Sequence, residues 1–296
     1  DPNVKKIYPN WPIQAFLSDS VDIVNATNTW RLIYNSTNLT GKGEVICVID
    51  TGVDYTHTNM GNCAATSNIN DGSCEKVIGG YDFVNNDENP IDDEGHGTHV
   101  AGIVASTNNT YRGIAPDAKI VAIKSLGSNG IGNAADITSG INWCVDNSSI
   151  FNITVISMSL GSTTRYTNHC DDIDPTMASA VDNVIGKNIS VIVATGNFGS
   201  TTQITLPACF KNSTAVGAVD KSNGMVHNRN NITDLLAPGV SITSLKKDGG
   251  TESLSGTSMS TPTVAGAFAL LHQFRRLEQN IILTPDQIQD ALNDTG

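Results

Sequence analysis

The chain has 296 residues, long for one domain but within reach of a single large α/β domain. Hydrophobic residues make up 39% of it, and no apolar run approaches the about 18 residues of a membrane span, so we expect a sizeable core and no membrane span. With 17 Lys and Arg against 29 Asp and Glu, the net charge of −12 would repel phosphate groups, which argues against a nucleic-acid partner.

Residues 1–40 are polar, and Pro2, Pro9 and Pro12 limit regular structure there, so we predict an irregular segment packed on the rest. From residue 44 onward, apolar runs typical of buried strands alternate with helical patterns. In chain order we predict a strand at 44–50, a strand at 76–83, a helix at 97–106, a strand at 119–124, a helix at 133–146, a strand at 153–160, a helix at 175–187, strands at 190–195 and 214–219, a helix from 258 to about 277, and a last helix that starts at Thr284-Pro285-Asp286.

This alternation predicts an α/β fold, a three-layer sandwich with a mostly parallel central sheet flanked by helices. No repeat, low-complexity tract or linker divides the sequence. We therefore expect residues 1–296 to form a single domain, and we expect the protein to be a monomer.

Reactive residues stand where strands end and helices begin. Asp50 and Asn197 follow apolar runs, His96 lies between two glycines at a predicted helix start, and Ser258 opens the longest helix. In a doubly wound sheet, ligands bind beyond the carboxyl ends of the strands. These four side chains are therefore the candidates for a common site.

The four residue types suit acyl transfer. A serine hydroxyl becomes a useful nucleophile when an imidazole takes its proton, and a carboxylate orients that imidazole. The amide of Asn197 and the backbone N–H of Ser258 could donate to an oxyanion. Each residue alone has a structural explanation, such as a helix cap for Ser258, so the combination carries the argument.

The surrounding motifs resemble those of subtilisin-like serine proteases, the subtilase family. Asp50-Thr51-Gly52, residues 96–102 and residues 256–259 are similar to that family's Asp, His and Ser motifs, in the same chain order. Residues 158–161 and Gly196-Asn197 are similar to its substrate-strand and oxyanion motifs. The similarity runs from about Tyr8 to the C-terminus, as expected for a mature catalytic domain.

The resemblance implies a serine endopeptidase that forms an acyl-enzyme on Ser258, with His96 as general base and acid, Asp50 as the orienting carboxylate and Asn197 as an oxyanion donor. Protein or peptide substrates would pair with two chain edges, and such main-chain pairing implies broad specificity. The implied substrate-binding residues are Gly130, Gly132, Ser159, Leu160, Gly161, Ala194, Thr195, Gly196 and Thr205, with Thr205 near the base of the P1 pocket. The resemblance also implies an N-terminal inhibitory propeptide as a partner before maturation.

Three positions depart from the family pattern. Thr263 stands where histidine is common, behind the predicted nucleophile, so we expect little effect. Phe198 stands where relatives often have an acidic or small residue, so we expect an apolar or medium-sized P1 side chain rather than a cationic one. Asn59 replaces an aspartate ligand and the loop 107–113 is short, so we do not expect the family's strong calcium site.

A different calcium site is expected in the loop 82–91, which is rich in oxygen donors. By resemblance to a calcium loop of thermostable family members, the ligands would be Asp82, Asn85, Asp87, Asn89 and Ile91. The alternative is a solvated acidic turn.

Six cysteines without a C-x-x-C motif favour disulfides, and therefore a secreted, extracellular protein. Cys63 and Cys74 could close a local loop, the family resemblance pairs Cys170 with Cys209, and Cys47 and Cys144 could be bonded or free.

The absence of an initiator Met suggests a mature form cut from a precursor, or a recombinant product. Glycosylation would require Asn-x-Ser/Thr sequences, which occur at Asn25, Asn35, Asn38, Asn108, Asn147, Asn152, Asn188, Asn212, Asn231 and Asn293.

Other interpretations have weaker support. Asp50-Thr51-Gly52 and Asp294-Thr295-Gly296 could suggest an aspartic protease, but the second copy follows a helix and the fold would have to be all-β. Gly41-Lys42-Gly43 precedes its strand, unlike a nucleotide-binding fingerprint, and His96-x-x-His99 has no third matched metal ligand. A secreted binding module with this fold remains open. The remaining histidines are predicted to be structural residues or surface residues: His57, His169, His227 and His272.

Overall fold

Residues 19–40 are more regular than their sequence predicts. The structure is a computed structural model that describes residues 19–64 and 69–295, so the prediction for residues 1–18 lies outside the described residues. Residues 19–40 form two short helices and a hairpin: α1 (Asp19–Ile23), α2 (Ala26–Thr29), β1 (Ile33–Tyr34) and β2 (Thr37–Asn38). Trp30 Nε1 donates to Ile114 O at 2.9 Å, and Gln273 Nε2 donates to Asn38 O at 2.9 Å. Because these contacts are tertiary, local polarity could not predict the order.

The further strands and helices follow the predicted alternation. The strands are β3 (Val45–Asp50), β4 (Val77–Asp82), β5 (Lys119–Lys124), β6 (Ile153–Met158), β7 (Arg165–Tyr166), β8 (Ser190–Ala194), β9 (Ile204–Thr205), β10 (Thr214–Val219), β11 (Met225–Val226), β12 (Leu235–Pro238), β13 (Ile242–Leu245) and β14 (Thr251–Leu254). The helices are α3 (His96–Ala105), α4 (Ala134–Asp146), α5 (Ser148–Phe151), α6 (Pro175–Gly186), α7 (Thr257–Gln279) and α8 (Pro285–Thr295). All six predicted strands are present, each within two residues of its predicted ends.

The main sheet has β3 at its centre. Its strand order is β11-β10-β8-β6-β3-β5-β4, with β12 also paired to β10. All of these pairs are parallel except β10 with β11. The chain crosses from the β5 side of β3 to the β6 side, so the carboxyl end of β3, at Asp50, lies at the topological switch point.

Alternate residues of β3 enter two separate cores. Ile46 and Val48 pack in the core that contains residues of α3 and α7, whereas Val45, Cys47 and Ile49 pack in the core that contains residues of α4 and α6. Successive side chains of a strand point to opposite faces, and this strand is covered on both. The result is the predicted three-layer sandwich.

The strands that sequence reasoning missed are short. β13 and β14 form an antiparallel hairpin, β7 pairs with β9, and β12 ends at Pro238 on the rim of the main sheet. Strands of two to four residues carry little periodic signal, and a proline argues against a central strand. Tertiary pairing determines these elements.

All six cysteines are paired. The disulfides are Cys47–Cys144, Cys63–Cys74 and Cys170–Cys209. The first joins central strand β3 to helix α4, which answers the question that the sequence left open for this pair. Each such cross-link typically stabilises a fold by ~2–4 kcal/mol, mainly by restricting the unfolded chain.

Across residues 19–64 and 69–295, we find no helix that combines the length and the apolar character needed to span a membrane.

Candidate active site

The carboxylate of Asp50 lies beside the ring of His96. Asp50 is the last residue of β3 and is fully buried. Its Oδ1 lies 2.7 Å from His96 Nδ1 and accepts a hydrogen bond from Thr51 N at 2.8 Å. Within the described part of the chain, Asp50 Oδ2 has no hydrogen-bond partner. A buried carboxylate so sparsely bonded interacts strongly with the imidazole next to it.

The charge state of His96 follows from these neighbours. Burial favours the neutral ring, but the carboxylate of Asp50, joined by the charges of Glu94 and Asp92, outweighs it and raises the pKa of His96 to about 9. Glu94 also accepts a hydrogen bond from the His96 backbone N–H at 2.7 Å. The neighbouring carboxylates therefore favour the protonated form of the ring in the free protein.

Asp92, which sequence reasoning missed, holds the loop after β3 against the start of α3. Its Oδ1 accepts from Thr51 Oγ1 at 2.9 Å and from Gly95 N at 2.8 Å, and its Oδ2 accepts from Thr98 N at 2.9 Å. Burial raises the pKa of Asp92, although its hydrogen bonds with Thr98 and Gly95 oppose that rise. An acidic residue just before a helix is a capping signal that could have revealed it.

Lys124, also missed, lies under the same strand end. Its buried ammonium donates to Thr51 O at 2.9 Å and Leu126 O at 3.0 Å, and it contacts Asp93 Oδ1 at 2.6 Å. All three donors of the ammonium are thereby used. Lys124 joins the residue after Asp50 to the segment that leads into Gly130 and Gly132.

Ser258 lies in the first turn of α7 and is tied to Ser159. Pro262 lacks the N–H that would bond to Ser258 O within the helix, and Ser159 Oγ donates to that oxygen instead, at 2.8 Å. In return, Ser258 Oγ donates to Ser159 O at 3.2 Å. No hydrogen bond joins Ser258 to His96 among the described residues, where the hydroxyl donates to Ser159 O instead.

Asn197 is oriented by Thr257. Its Oδ1 accepts from Thr257 N at 2.9 Å and from Thr257 Oγ1 at 3.1 Å. Thr257 Oγ1 accepts in turn from Gly196 N at 3.1 Å. With the amide oxygen engaged, the amide nitrogen of Asn197 is the group that remains to donate.

One cavity brings the reactive side chains together. His96, Asn197 and Ser258 all line a cavity of about 430 Å³, which Glu94 and Glu252 also border. Asp50 lies beneath it, behind the imidazole. Four distant parts of the sequence therefore meet at the carboxyl edge of the sheet, as their positions after strands and before helices predict.

The predicted substrate residues line two adjoining cavities, with one exception. A cavity of about 610 Å³ is bordered by Gly130, Gly132, Ser159, Leu160 and Gly161. A smaller one of about 220 Å³ is bordered by Ser159, Leu160, Gly161, Ala194, Gly196, Asn197, Phe198, Thr205 and Ser258.

Thr195, the exception, does not border either cavity. Its buried hydroxyl donates to Asn228 O at 2.7 Å. Thr205 borders the smaller cavity, and its Oγ1 donates to Thr195 O at 3.3 Å, so Thr195 lies behind the wall rather than in it.

Two residues that depart from the family pattern, Phe198 and Thr263, differ in exposure. Phe198 is half exposed beside the smaller cavity, and the Arg165 guanidinium carbon lies 5.2 Å from the centre of its ring. Thr263 is buried in α7, where its hydroxyl donates to Met259 O at 3.1 Å. Phe198 is therefore the departure that a substrate could contact.

The acidic loop after β4 is closed by its own hydrogen bonds. Asp82 Oδ1 accepts from Val84 N at 2.7 Å and Asn85 N at 2.9 Å, and its Oδ2 accepts from Asn85 Nδ2 at 2.8 Å. Asp87 Oδ1 accepts from Asn89 N at 2.8 Å. Residues 19–64 and 69–295 contain no group of three His, Cys, Asp or Glu side chains arranged to hold a metal ion.

The weaker interpretations of the sequence gain nothing from the structure. His99, the second histidine of His96-x-x-His99, is buried, and its Nε2 lies 3.1 Å from Glu252 O. Burial lowers the pKa of His99 to about 4, so it is neutral. Asp294 lies on α8, at the end of the chain, and no strand presents it as β3 presents Asp50.

Comparison with known proteins identifies the class. The sequence model of the subtilase family matches residues 41–296. The serine protease AprX of Bacillus subtilis (strain 168) is 33% identical over an alignment that covers 99% of this chain and 69% of that protein. A thermophilic serine proteinase of Bacillus sp. (strain AK1) is 40% identical over 86% of this chain and 58% of that protein. The crystal structure of a cold-adapted subtilisin-like serine proteinase matches with a TM-score of 0.69 and 32% identity, covering 86% of this chain and 82% of that one.

The chain belongs to the subtilase family. The predicted family, the α/β fold and the enzyme class, a serine endopeptidase, are thereby confirmed. The chain spans less than two thirds of the thermophilic proteinase and slightly more than two thirds of AprX.

Replacing Glu94 with Gln should lower the pKa of His96 below about 9, because it removes a negative charge that stabilises the imidazolium and keeps an oxygen for the His96 backbone N–H. In the free protein, the neutral fraction of His96 at pH 8 should therefore rise. NMR titration of the imidazole measures the change. Glu278→Gln, at the far end of α7, is the matched control, and an unchanged pKa in Glu94→Gln would contradict the charge assignment.

Proposed function

We propose that this chain hydrolyses peptide bonds with Ser258 as nucleophile, His96 as general base and acid, Asp50 as orienting carboxylate and Asn197 as oxyanion donor. The observation that carries the proposal is the Asp50–His96 contact of 2.7 Å behind a cavity that also exposes Ser258 and Asn197. Structural roles alone would not require His96, Asn197 and Ser258 to line one cavity with Asp50 bonded behind the imidazole.

The reaction begins with rotation of the Ser258 side chain from Ser159 O toward His96. In molecules whose His96 ring is neutral, Ser258 Oγ then attacks the carbonyl carbon of the scissile bond as His96 Nε2 takes the hydroxyl proton, and Asp50 stabilises the resulting imidazolium. His96 passes that proton to the leaving nitrogen, and the C–N bond breaks. A water molecule repeats the sequence on the acyl-enzyme and releases the acid product.

Two donors are available for the oxyanion. The Asn197 amide nitrogen is left over once Thr257 occupies the amide oxygen. The Ser258 N–H lies in the first turn of α7, where backbone N–H groups have no partner within the helix. Donors that are already oriented need no rearrangement as the charge develops.

Substrates are proposed to be proteins or peptides bound as an extended strand between Gly130–Gly132 and Ser159–Gly161. Backbone pairing of this kind accepts many side chains, which supports broad specificity. The smaller cavity, proposed to take the P1 side chain, has no charged residue in its wall. Its limited size and the Phe198 ring beside it favour an apolar or medium-sized side chain.

Ser258→Ala should abolish nearly all peptide hydrolysis and leave the melting temperature unchanged, because it removes the attacking atom and only one surface-facing hydrogen bond. Asn197→Ala should lower turnover by about 10²–10³-fold, the loss typical of removing one oxyanion donor from a subtilisin. Turnover of a peptide substrate and labelling by a serine-directed phosphonate are measured for each of the two variants. Full activity in Ser258→Ala would refute the mechanism. A wild-type protein that folds but does not react with the phosphonate would instead be a binding module.

Peptides with Leu or Phe at P1 should be cleaved faster than the same peptides with Lys, since Arg165 stands over Phe198 and repels a cation at the mouth of the pocket. Arg165→Ala should lower the ratio of kcat/KM for the Leu peptide to kcat/KM for the Lys peptide. Arg275→Ala, on α7, should leave that ratio unchanged. Faster cleavage after Lys in the wild type would contradict the proposed preference.

A structural calcium ion is proposed for the loop 82–91. The carboxylates of Asp82 and Asp87, the amide oxygen of Asn85, and the carbonyls of Asn89 and Ile91 are hard oxygen donors of the kind calcium prefers. The Asn85 amide now donates to Asp82 Oδ2, so binding of the ion requires this amide to turn its oxygen inward. The ion would then tie the loop before His96 to the end of β4.

Adding calcium should raise the melting temperature of the wild type, and a chelator should reverse the rise, because a ligand that binds only the folded state stabilises it. Asp87→Asn keeps an acceptor for Asn89 N but removes a charge, so it should largely abolish the calcium response. Asp220→Asn, in another acidic turn, is the matched control. A wild-type melting temperature that is indifferent to calcium would leave the loop as a solvated acidic turn.

We also propose that the protein is secreted, glycosylated, monomeric, organised as one catalytic domain over residues 1–296, and matured by removal of an inhibitory propeptide. The three disulfides support an oxidising compartment. The shared central sheet, from β3 to β10, supports a single domain.

A further inference from the structure

The loop that carries Asn197 has no regular structure of its own. Residues 195–203 run from the end of β8 to the start of β9 without forming a helix or a strand. Gly196 and Gly199 adopt φ values of +104° and +72°, which only glycine adopts easily. Because such a loop has many conformations of similar energy, tertiary contacts must select the one in which Asn197 faces the cavity.

Asn228 bonds to the backbone on both sides of Asn197. Its N–H donates to Gly196 O at 3.1 Å, directly before Asn197. Its side-chain oxygen Oδ1 accepts from Phe198 N at 2.9 Å, directly after Asn197, and from Ser200 N at 3.1 Å. The loop is thus held at three points by one residue that is distant in sequence.

Two further hydrogen bonds close the same junction. Thr195 Oγ1 donates to Asn228 O at 2.7 Å, and Arg229 N donates to Ser200 O at 2.9 Å. Asn228 is fully buried, so water does not compete for these bonds.

The amide of Asn228 is used on one side only. Its nitrogen Nδ2 is buried and has no hydrogen-bond partner in the part of the chain that the structure describes. An unpaired buried donor is unfavourable, and a residue chosen for packing alone would not carry one. The oxygen that accepts from Phe198 and Ser200 is therefore the atom that this position requires.

We propose that Asn228 is a positioning residue for the hydrolytic reaction, which sets the direction of the Asn197 amide by holding the backbone before and after it. This inference rests on the proposed function, because it assumes that Asn197 donates to the oxyanion. Asn197 is then fixed at two places, by Asn228 through its backbone and by Thr257 through its side-chain oxygen. With the backbone anchor removed, Thr257 still holds the oxygen, but the nitrogen no longer has a defined direction.

The test is a double-mutant cycle between Asn228 and Asn197. Asn228→Ala should lower kcat by about tenfold, because small misplacements of a catalytic group are costly. In the Asn197→Ala background the same substitution should change kcat by less than about twofold, since the group it positions is already gone. An equal loss in both backgrounds would overturn the proposal.

A second variant separates positioning from folding. Asn228→Ser carries its oxygen closer to the backbone and cannot accept from Phe198 N and Ser200 N in the present geometry. It should therefore lower kcat as Asn228→Ala does, and it replaces that variant if Asn228→Ala does not fold. Wild-type kcat in the folded variants would also overturn the proposal.

Active-site titration with a serine-directed phosphonate corrects each kcat for the fraction of folded sites. Asn147→Ala is the control, because Asn147 is a partly buried asparagine whose amide also bonds the backbone, at the end of α4. If the phosphonate labels the wild type but the two substitutions show no coupling in the double-mutant cycle, only the positioning role of Asn228 is refuted. Failure of the wild type to label would refute the proposed function and this inference together.

Discussion

The buried carboxylate of Asp50 imposes the constraint on which the site depends. Removing a carboxylate from water is costly unless opposite charge and hydrogen bonds replace the lost solvation, and here an imidazole and one backbone N–H provide them. The same interaction makes the His96 imidazolium stable. Lys124 and Asp92 then secure the strand end and the helix start, so the pair keeps its geometry.

The reactive groups lie on rigid elements to different degrees. Asp50 ends a strand at the centre of the sheet, and Ser258 begins a helix that a proline and Ser159 tie to the neighbouring chain segment. Asn197 lies on an irregular loop and obtains its direction from Thr257 and Asn228. The orientation of the Asn197 amide therefore depends on hydrogen bonds to residues that are distant in sequence. The geometry of the Asp50–His96 pair depends on packing in the core.

Local sequence was a good guide wherever burial imposes a pattern. Strands such as β3 and β5 are continuous apolar runs because helices cover both faces, and α6 begins with a capping Asp174 whose side chain accepts from Met177 N at 3.0 Å. Short strands such as β13 were missed because pairing, not composition, creates them. Thr195 was predicted among the substrate-binding residues, and its buried hydroxyl donates to Asn228 O.

The sequence by itself determined the alternation of strands and helices, the order of the Asp, His and Ser motifs, and hence the family. These depend on local periodicity and on residues that are adjacent in the chain. Only the tertiary structure decided that Cys47 pairs with Cys144, that Ser258 donates to Ser159, and that Asn228 holds the Asn197 loop. Each of these is a contact between distant segments, and such contacts depend on how the layers pack.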